Sequence, residues 1–396
     1  MRSVELFVGA GGLAMGTSAA GFKHDAVVEW NKHACGTIRA NQSRRVSPVV
    51  DWSLFEGDAR AFNYSDIGAG IDLVAGGPPC QPFSLGGKHR GQGDTRDMFP
   101  EAVRAVRELR PRAFMFENVK GLLRASFAKY FGYIYLQLTL PDLIREAGEE
   151  WESHLTHLER CKTSSRSGGL RYNVVFRLLN AADYGVPQRR ERVFIVGFRS
   201  DLGIEWSFPT PTHSRDALLW DQWVTGEYWD RHCVPVRQRP RPSAEVIARL
   251  NRIGDLVRPS EQPWRTVRDA IADLPTPCPH RDDWSGVINH RLNLGARAYP
   301  GHTGSPLDEP AKTLKAGDHG VPGGENMLLM PNGEVRYFTV RESARLQTFP
   351  DDYTFVGSWT ESMRQLGNAV PVKLGHVVAG NIAAKLLAIQ SIGGHA

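Results

Sequence analysis

The segment Gly76-Gly77-Pro78-Pro79-Cys80-Gln81-Pro82-Phe83 combines a reactive atom with a stiff mounting. Glycines let backbone pass close to a ligand, and prolines fix the approach. A cysteine held there, just after the apolar run Ile71-Asp72-Leu73-Val74-Ala75, is placed like a nucleophile. The alternative is a small buried hydrophobe, the commonest fate of a free cysteine. Glu117-Asn118-Val119 follows a run of alanine and aromatics. A carboxylate at the carboxyl end of a strand in an α/β sheet sits where ligands bind, and burial there favours its proton-bearing form. A capping or salt-bridged glutamate is the plainer reading. Gln188-Arg189-Arg190-Glu191-Arg192 precedes the apolar Val193-Phe194-Ile195-Val196-Gly197. In extended backbone Arg190 and Arg192 share a face, and two guanidiniums suit a carboxylate, a phosphate or a carbonyl oxygen. A surface charge run is the alternative.

A fourth group points to a cofactor. Phe7-Val8-Gly9-Ala10-Gly11-Gly12-Leu13 lies between a strand and a helix, where backbone N–H groups can meet an anionic ligand. Glu29 stands 20 residues after Gly9, at the end of the next strand, where a carboxylate can hold ribose hydroxyls. By itself the pattern fits a nicotinamide, flavin or S-adenosylmethionine site, or a purely structural tight turn. Ala14 departs from the full dinucleotide pattern of glycines.

These groups need a scaffold, and the first 200 residues supply alternating strands and helices of βαβ type. Strands are predicted at Val4–Phe7, Ala26–Trp30, Ile71–Ala75, Ala113–Phe116 and Val193–Gly197, with helices at Leu13–Ala20 and Glu101–Leu109. Leu122–Ser167 is aromatic, then charged, and predicted helical without an assigned role. From Phe208-Pro209-Thr210-Pro211 to Val335 prolines, tryptophans and arginines dominate without clear period, which predicts a smaller, loop-rich second domain. Regularity returns with helices at Arg341–Leu346 and Leu374–Ile389. The expected division is therefore 1–200 plus 336–396 for the catalytic, cofactor-binding domain and 201–335 for the second.

The net charge of +5 is mild, but nine Arg or Lys stand against Asp183 and Glu191 between Arg160 and Arg199, a density that suits phosphate contacts. Residues 200–335 hold 15 basic and 18 acidic side chains, so any nucleic-acid contact there must come from local loops. Five cysteines without paired spacing argue for reduced thiols and an intracellular protein. No apolar run is read as a membrane span, no signal peptide is expected before the strand that includes Leu6 and Phe7, and no metal is assigned to Cys233 beside His232 or to Cys278 near His280.

In order, the chain shows Phe7-x-Gly9-x-Gly11-Gly12, Glu29-Trp30, Gly57-Asp58, Pro78 to Phe83, Glu117-Asn118-Val119, Gln188 to Arg192, Arg341-Glu342 with Arg345-Leu346-Gln347 and Phe349-Pro350, and Gly367-Asn368-Ala369-Val370-Pro371. This succession resembles the ordered motif blocks of bacterial DNA (cytosine-5) methyltransferases of restriction-modification type, over roughly residues 1–125, 170–200 and 335–390. The resemblance implies a Rossmann-like S-adenosylmethionine-dependent methyltransferase domain of α/β class with a loop-rich target-recognition domain. It implies that Cys80 adds to carbon-6 of a cytosine flipped out of double-stranded DNA, that Glu117 serves N3, that Arg192 meets the cytosine carbonyl, and that Arg190 supports the Cys80 loop or a phosphate. S-adenosylmethionine would lie against Phe7, Gly9, Gly11, Gly12, Leu13, Glu29, Trp30, Asp58 and Pro78, with Asn368 and Val370 approaching from the last block. Ser84, Lys88 and Arg90, on a glycine-rich segment able to close over the base, and Thr313, on a phosphate, would contact DNA. Tyr299 to Gly304 and Lys315 to Gly324 are candidate recognition loops.

The resemblance further implies a monomer in the bacterial cytoplasm, paired with a restriction endonuclease. Other readings are a tRNA-directed relative, which usually carries a Cys-Phe-Thr element absent here, an inactive DNA-binding homologue, and a dinucleotide oxidoreductase. The last leaves Cys80 and the Gln-Arg-Arg-Glu-Arg run without a purpose.

Overall fold

A computed structural model describes residues 1–79, 97–164, 169–253, 258–279, 286–301, 303–316 and 326–393. The chain forms two compact units, Met1–Leu179 with Glu191–Pro209 and Gly375–Ala396, and Asn180–Arg190 with Thr210–Leu374.

The first unit is built on strands β1 (Arg2–Leu6), β2 (Lys23–Glu29), β3 (Leu54–Glu56), β4 (Leu73–Gly76), β5 (Ala113–Val119), β6 (Tyr172–Asn180) and β7 (Glu191–Arg199). They make a seven-stranded sheet in the order β3-β2-β1-β4-β5-β7-β6. The pairs from β3 through β5 are parallel, and β7 runs antiparallel to β5. Helices α1 (Gly12–Ala19), α2 (Lys32–Ser43) and α3 (Phe99–Leu109) follow β1, β2 and β4. Central strands covered on both faces read as continuous apolar runs, as Leu73-Val74-Ala75 and Ala113 to Phe116 do, all fully buried. The expected open α/β sheet is therefore present, with strand ends shifted by up to three residues. Strand order reverses between β1 and β4, and the carboxyl ends of the strands flanking such a point form a ligand crevice.

The stretch left without a role folds as α4 (Ala128–Thr139) and α5 (Trp151–Thr163). Its aromatics are core: Tyr130 and Tyr133 pack on Trp151, and the Tyr133 hydroxyl lies 2.9 Å from His154 Nδ1.

The second unit contains α6 (Arg215–Trp220), α7 (Glu227–Arg231), α8 (Ala244–Ile253), α9 (Val267–Ile271), α10 (Val340–Leu346), α11 (Trp359–Asn368) and short strands including Met327–Leu329 paired antiparallel with Val335–Tyr337. One core joins Val267 and Ile271 to Ala311, Leu314, Leu328, Phe338 and Leu346. That packing explains a difference from the sequence reading. Residues 336–374, expected with the catalytic domain, group with the second unit, as do 180–190.

A second difference concerns membrane spans. By length and composition alone the helical stretch Trp359–Ile389 could cross a bilayer, with mean hydropathy 1.4. It is nevertheless two helices, α11 and α12 (Val372–Gly393), separated before Pro371. α12 buries Val378, Ala379, Ile382, Ala383 and Leu386 along one side and exposes His376 and Lys385 on the other, the pattern of a core helix.

Candidate active site

The turn after β1 is shaped by backbone that few side chains tolerate. Phe7, Gly9 and Gly11 all lie at positive φ, 57°, 55° and 86°. For Phe7 this conformation costs about 1–2 kcal/mol. Gly11 starts α1, and no side chain caps that helix. The N–H groups of its first turn are thus left to backbone or to a ligand, as an anionic group at a helix N-terminus requires.

Glu29 is buried at the end of β2 and its carboxylate closes the turn. Oε2 accepts the Gly9 N–H at 2.7 Å, while Oε1 accepts those of Trp30 at 3.0 Å and Asn31 at 2.7 Å. Burial pushes its carboxyl above the ordinary value, and the three N–H groups pull it back. The sequence reading assigned Glu29 to ribose hydroxyls; the geometry gives it an additional duty as a clamp between β1 and β2. Beside it the Trp30 side chain is 72% exposed, an apolar plane open to a stacking partner. Asp58 accepts the Arg60 N–H at 2.9 Å, which, with the Arg60 guanidinium, holds its carboxyl below the usual range. Phe7, Glu29, Asp58 and Pro78 all follow or end parallel strands at the same sheet edge.

The second half of the crevice lies where β4 and β5 end. Gly76 must lack a side chain, because a Cβ there would stand 2.5 Å from the Leu6 carbonyl oxygen. At Gly77 a Cβ would meet Glu117 Oε2 at 3.3 Å, so the backbone leading to Cys80 passes directly over this carboxylate. Glu117 is buried, and its Oε1 lies 2.7 Å from Arg192 Nε. The contact follows from register: in the antiparallel β5–β7 pair Val119 opposes Arg192, and Glu117 stands two residues back on the same face. Burial lowers the Arg192 pKa and Glu117 raises it again. Asn118 was quoted in the motif without a role. Its Nδ2 donates to the Pro78 carbonyl at 2.9 Å and fixes the Pro-Pro approach; an amide directly after the strand-end glutamate was the available signal.

Cys80, Ser84, Lys88 and Arg90 lie outside the described residues, as do most of Lys315 to Gly324 and His302. Of the two arginines expected to share a target, only Arg192 meets Glu117. Arg190 is fully buried in the second unit, where its guanidinium donates to the carbonyls of Leu314 at 3.0 Å and Gly367 at 2.7 Å. A phosphate contact by Arg190 is thereby corrected: it has no exposed surface to offer. The Thr313 hydroxyl donates to the Arg189 carbonyl at 2.7 Å. Asn368 ends α11 and Val370 is buried just after it, both in the second unit.

The Arg190 geometry carries a prediction. Arg190→Met should lower unfolding stability by about 2–4 kcal/mol, since two buried carbonyls lose a charged donor. The salt dependence of DNA binding should not change. Urea titration and binding at several salt concentrations check this; a flatter salt slope at unchanged stability would restore the phosphate role.

A family model for C-5 cytosine-specific DNA methylases matches residues 1–140 and 154–384. The Type II methyltransferase M.Eco47II of Escherichia coli is 32% identical over 96% of this chain and 78% of its own length. M.NgoMIV of Neisseria gonorrhoeae is 31% identical over 96% of both chains. Among solved structures, a prophage-encoded DNA modification methyltransferase of E. coli superposes with a TM-score of 0.59 at 20% identity, covering 98% of this chain and 99% of the other. The Dnmt2 methyltransferase of S. pombe gives 0.52 at 18% identity, with the same coverage. These two structures show that the fold is shared with methyltransferases.

Proposed function

The chain belongs to the C-5 cytosine-specific DNA methylase family, and from that premise we propose that it methylates carbon-5 of a cytosine flipped out of one specific double-stranded sequence, using S-adenosylmethionine and a covalent Cys80 adduct. The observation that carries the reading is the buried Glu117–Arg192 pair at 2.7 Å, under the backbone that leads to Cys80. A carboxyl and a guanidinium side by side match the N3 and O2 edge of cytosine, where Glu117 would serve N3 and Arg192 the carbonyl.

S-adenosylmethionine fits the turn after β1. The uncapped start of α1, the strained Phe7, the open face of Trp30 and the carboxylates of Glu29 and Asp58 offer sites for its methionine end, adenine and ribose. When bound it supplies an electrophilic methyl group. The protein's own residues do the remainder. The Cys80 thiolate forms a bond to carbon-6, and Glu117 passes a proton to N3 so that no charge accumulates on the ring. Carbon-5, now enamine-like, takes the methyl group as its bond to the sulfonium sulfur breaks and a neutral thioether leaves. Loss of the carbon-5 proton to water re-forms the double bond and expels Cys80 as thiolate, while N3 returns its proton to Glu117.

As a division of labour that does not follow the two packing units, the motif blocks within 1–200 and 336–396 would carry chemistry and residues 201–335 recognition. The match to Type II methyltransferases supports a further reading, that the enzyme shields its host's DNA from a restriction endonuclease of the same specificity. Bisulfite sequencing of DNA from cells expressing the chain tests the function and finds the site together. Protected cytosines should recur at one position of one short sequence. No protected cytosine above the empty-vector background would overturn the proposal.

A further inference from the structure

β1, the strand that leads into the cofactor turn, carries a fully buried carboxyl group. Glu5 has no exposed surface, and among the described residues no cation stands close enough to figure among the influences on it. Its Oε2 lies 3.3 Å from the Thr17 hydroxyl on α1. That hydroxyl is also 2.9 Å from the Ala14 carbonyl and 3.0 Å from Nε2 of His24 on β2. His24, itself 3% exposed, reaches the Ala14 carbonyl through Nε2 and the Ser3 hydroxyl through Nδ1, both at 3.0 Å. The edge of Trp52 packs on the imidazole, and Asp25, whose charge acts on it, is tied to Arg2 at 2.7 Å.

The protons can be placed. A threonine hydroxyl has one proton and two lone pairs, and a neutral imidazole donates from one nitrogen and accepts at the other. If Thr17 donates to the Ala14 carbonyl, it can accept from Glu5 and share the His24 Nε2 proton with that carbonyl, while Nδ1 takes the Ser3 proton. Each hydrogen in the chain then has an acceptor, provided Glu5 carries one. An ionised Glu5 would be an unpaired charge in the sheet, which costs several kcal/mol.

We propose that Glu5 is a positioning residue for the cofactor turn: as a neutral carboxyl it donates to Thr17, and the Glu5–Thr17–His24–Ser3 chain of hydrogen bonds locks α1 onto β1 and β2. The lock holds the first turn of α1, so that the Gly12 and Leu13 N–H groups stay presented to the methionine end. This rests on the S-adenosylmethionine reading above. Burial supports it from both sides, pushing the Glu5 carboxyl well up toward its proton-bearing form and the His24 imidazole down to about 4, so that the imidazole is neutral near pH 7.

Two measurements on the full chain test it. The first is urea unfolding of wild type and Glu5→Gln between about pH 5 and pH 8. An acid with a raised native pKa is ionised only in the unfolded chain over this window, so wild-type stability falls as pH rises through it, and glutamine, which does not titrate, escapes that fall. The stability of the Gln variant relative to wild type should therefore grow with pH; a difference that stays flat overturns the neutral carboxyl. The His24 contribution cancels in this comparison.

The second is calorimetric binding of S-adenosylmethionine at pH 7. Thr17→Val should weaken affinity about tenfold, the loss of one or two buried hydrogen bonds, with DNA binding unchanged. Glu5→Gln should keep the affinity that Glu5→Ala loses. Equal loss in Gln and Ala variants, or an unaltered Thr17→Val, overturns the positioning role. Wild type failing to bind S-adenosylmethionine overturns the cofactor reading and the positioning role with it; the urea comparison, needing no ligand, still judges the carboxyl's state.

Discussion

Replacing Cys80 with serine should abolish turnover, with a fall of about 10⁴-fold or more, as expected when an enzyme loses its nucleophile. Carbon-6 of cytosine is a weak electrophile, and a serine hydroxyl, far less acidic than a thiol, supplies almost no anion at neutral pH. The mounting is already rigid up to Pro79. Gly76 lies against the Leu6 carbonyl, and Asn118 grips the Pro78 carbonyl at 2.9 Å. The measurement is trapping on DNA that carries 5-fluorocytosine at the target. Wild type should form an adduct that survives denaturation, because fluorine cannot leave as the carbon-5 proton does, and the serine variant should form none. An adduct with Cys80→Ser would remove this residue from the mechanism.

Glu117→Gln should slow methyl transfer by roughly 10²–10⁴-fold, the range for loss of a general acid. Binding of S-adenosylmethionine should change little, since Glu117 pairs with Arg192 and the cofactor turn follows β1. A second effect accompanies the first. The Arg192 side chain is only 12% exposed and keeps a hydrogen-bond partner but loses its counter-charge. Leaving a buried charge unpaired costs about 3–5 kcal/mol, so the variant should also unfold at lower urea. Single-turnover rates per folded molecule separate the two. A Gln variant of near-normal rate and reduced stability would make the carboxylate structural.

Much of this was legible in the chain. The sheet could be read because its strands are buried on both faces and appear as short apolar runs ended by glycine, proline or an acid, as Leu73 to Gly76 and Ala113 to Glu117 do. The pairing of Glu117 with Arg192 was within reach, since both flank strands in one motif succession. What could not be read were partners distant in sequence. Nothing in Arg189-Arg190 says that one guanidinium goes inward to carbonyls 124 and 177 residues away. Nothing in Glu29 says that it binds three N–H groups before any sugar. Alternation along a strand predicts the face of a side chain, whereas its partner depends on which segments fold over that face. The unit boundary was missed for the same reason: the last motif blocks resemble the first in kind, yet α10 packs on α9 through Leu346 and Ile271.

The return of Gly375–Ala396 to the first unit sets a clock on synthesis. α12 seats Gly375 against Leu13, where a Cβ would come within 3.2 Å of the leucine side chain, and the Leu386 carbonyl takes a hydrogen bond from Arg112 at 3.1 Å. The part of this unit before Thr210 therefore waits for α12, translated after the second unit, before its core can close. At about 5–20 residues per second, the interval from Arg112 to Leu386 is on the order of tens of seconds. During that time Leu13 and the helix start beside it lack their final cover. A nascent chain cut short before Gly375 would hold nearly every motif of the site and still lack the piece that completes it. Methylation by this protein is thus expected only from molecules translated through α12, which makes its appearance in a cell abrupt rather than graded with chain length.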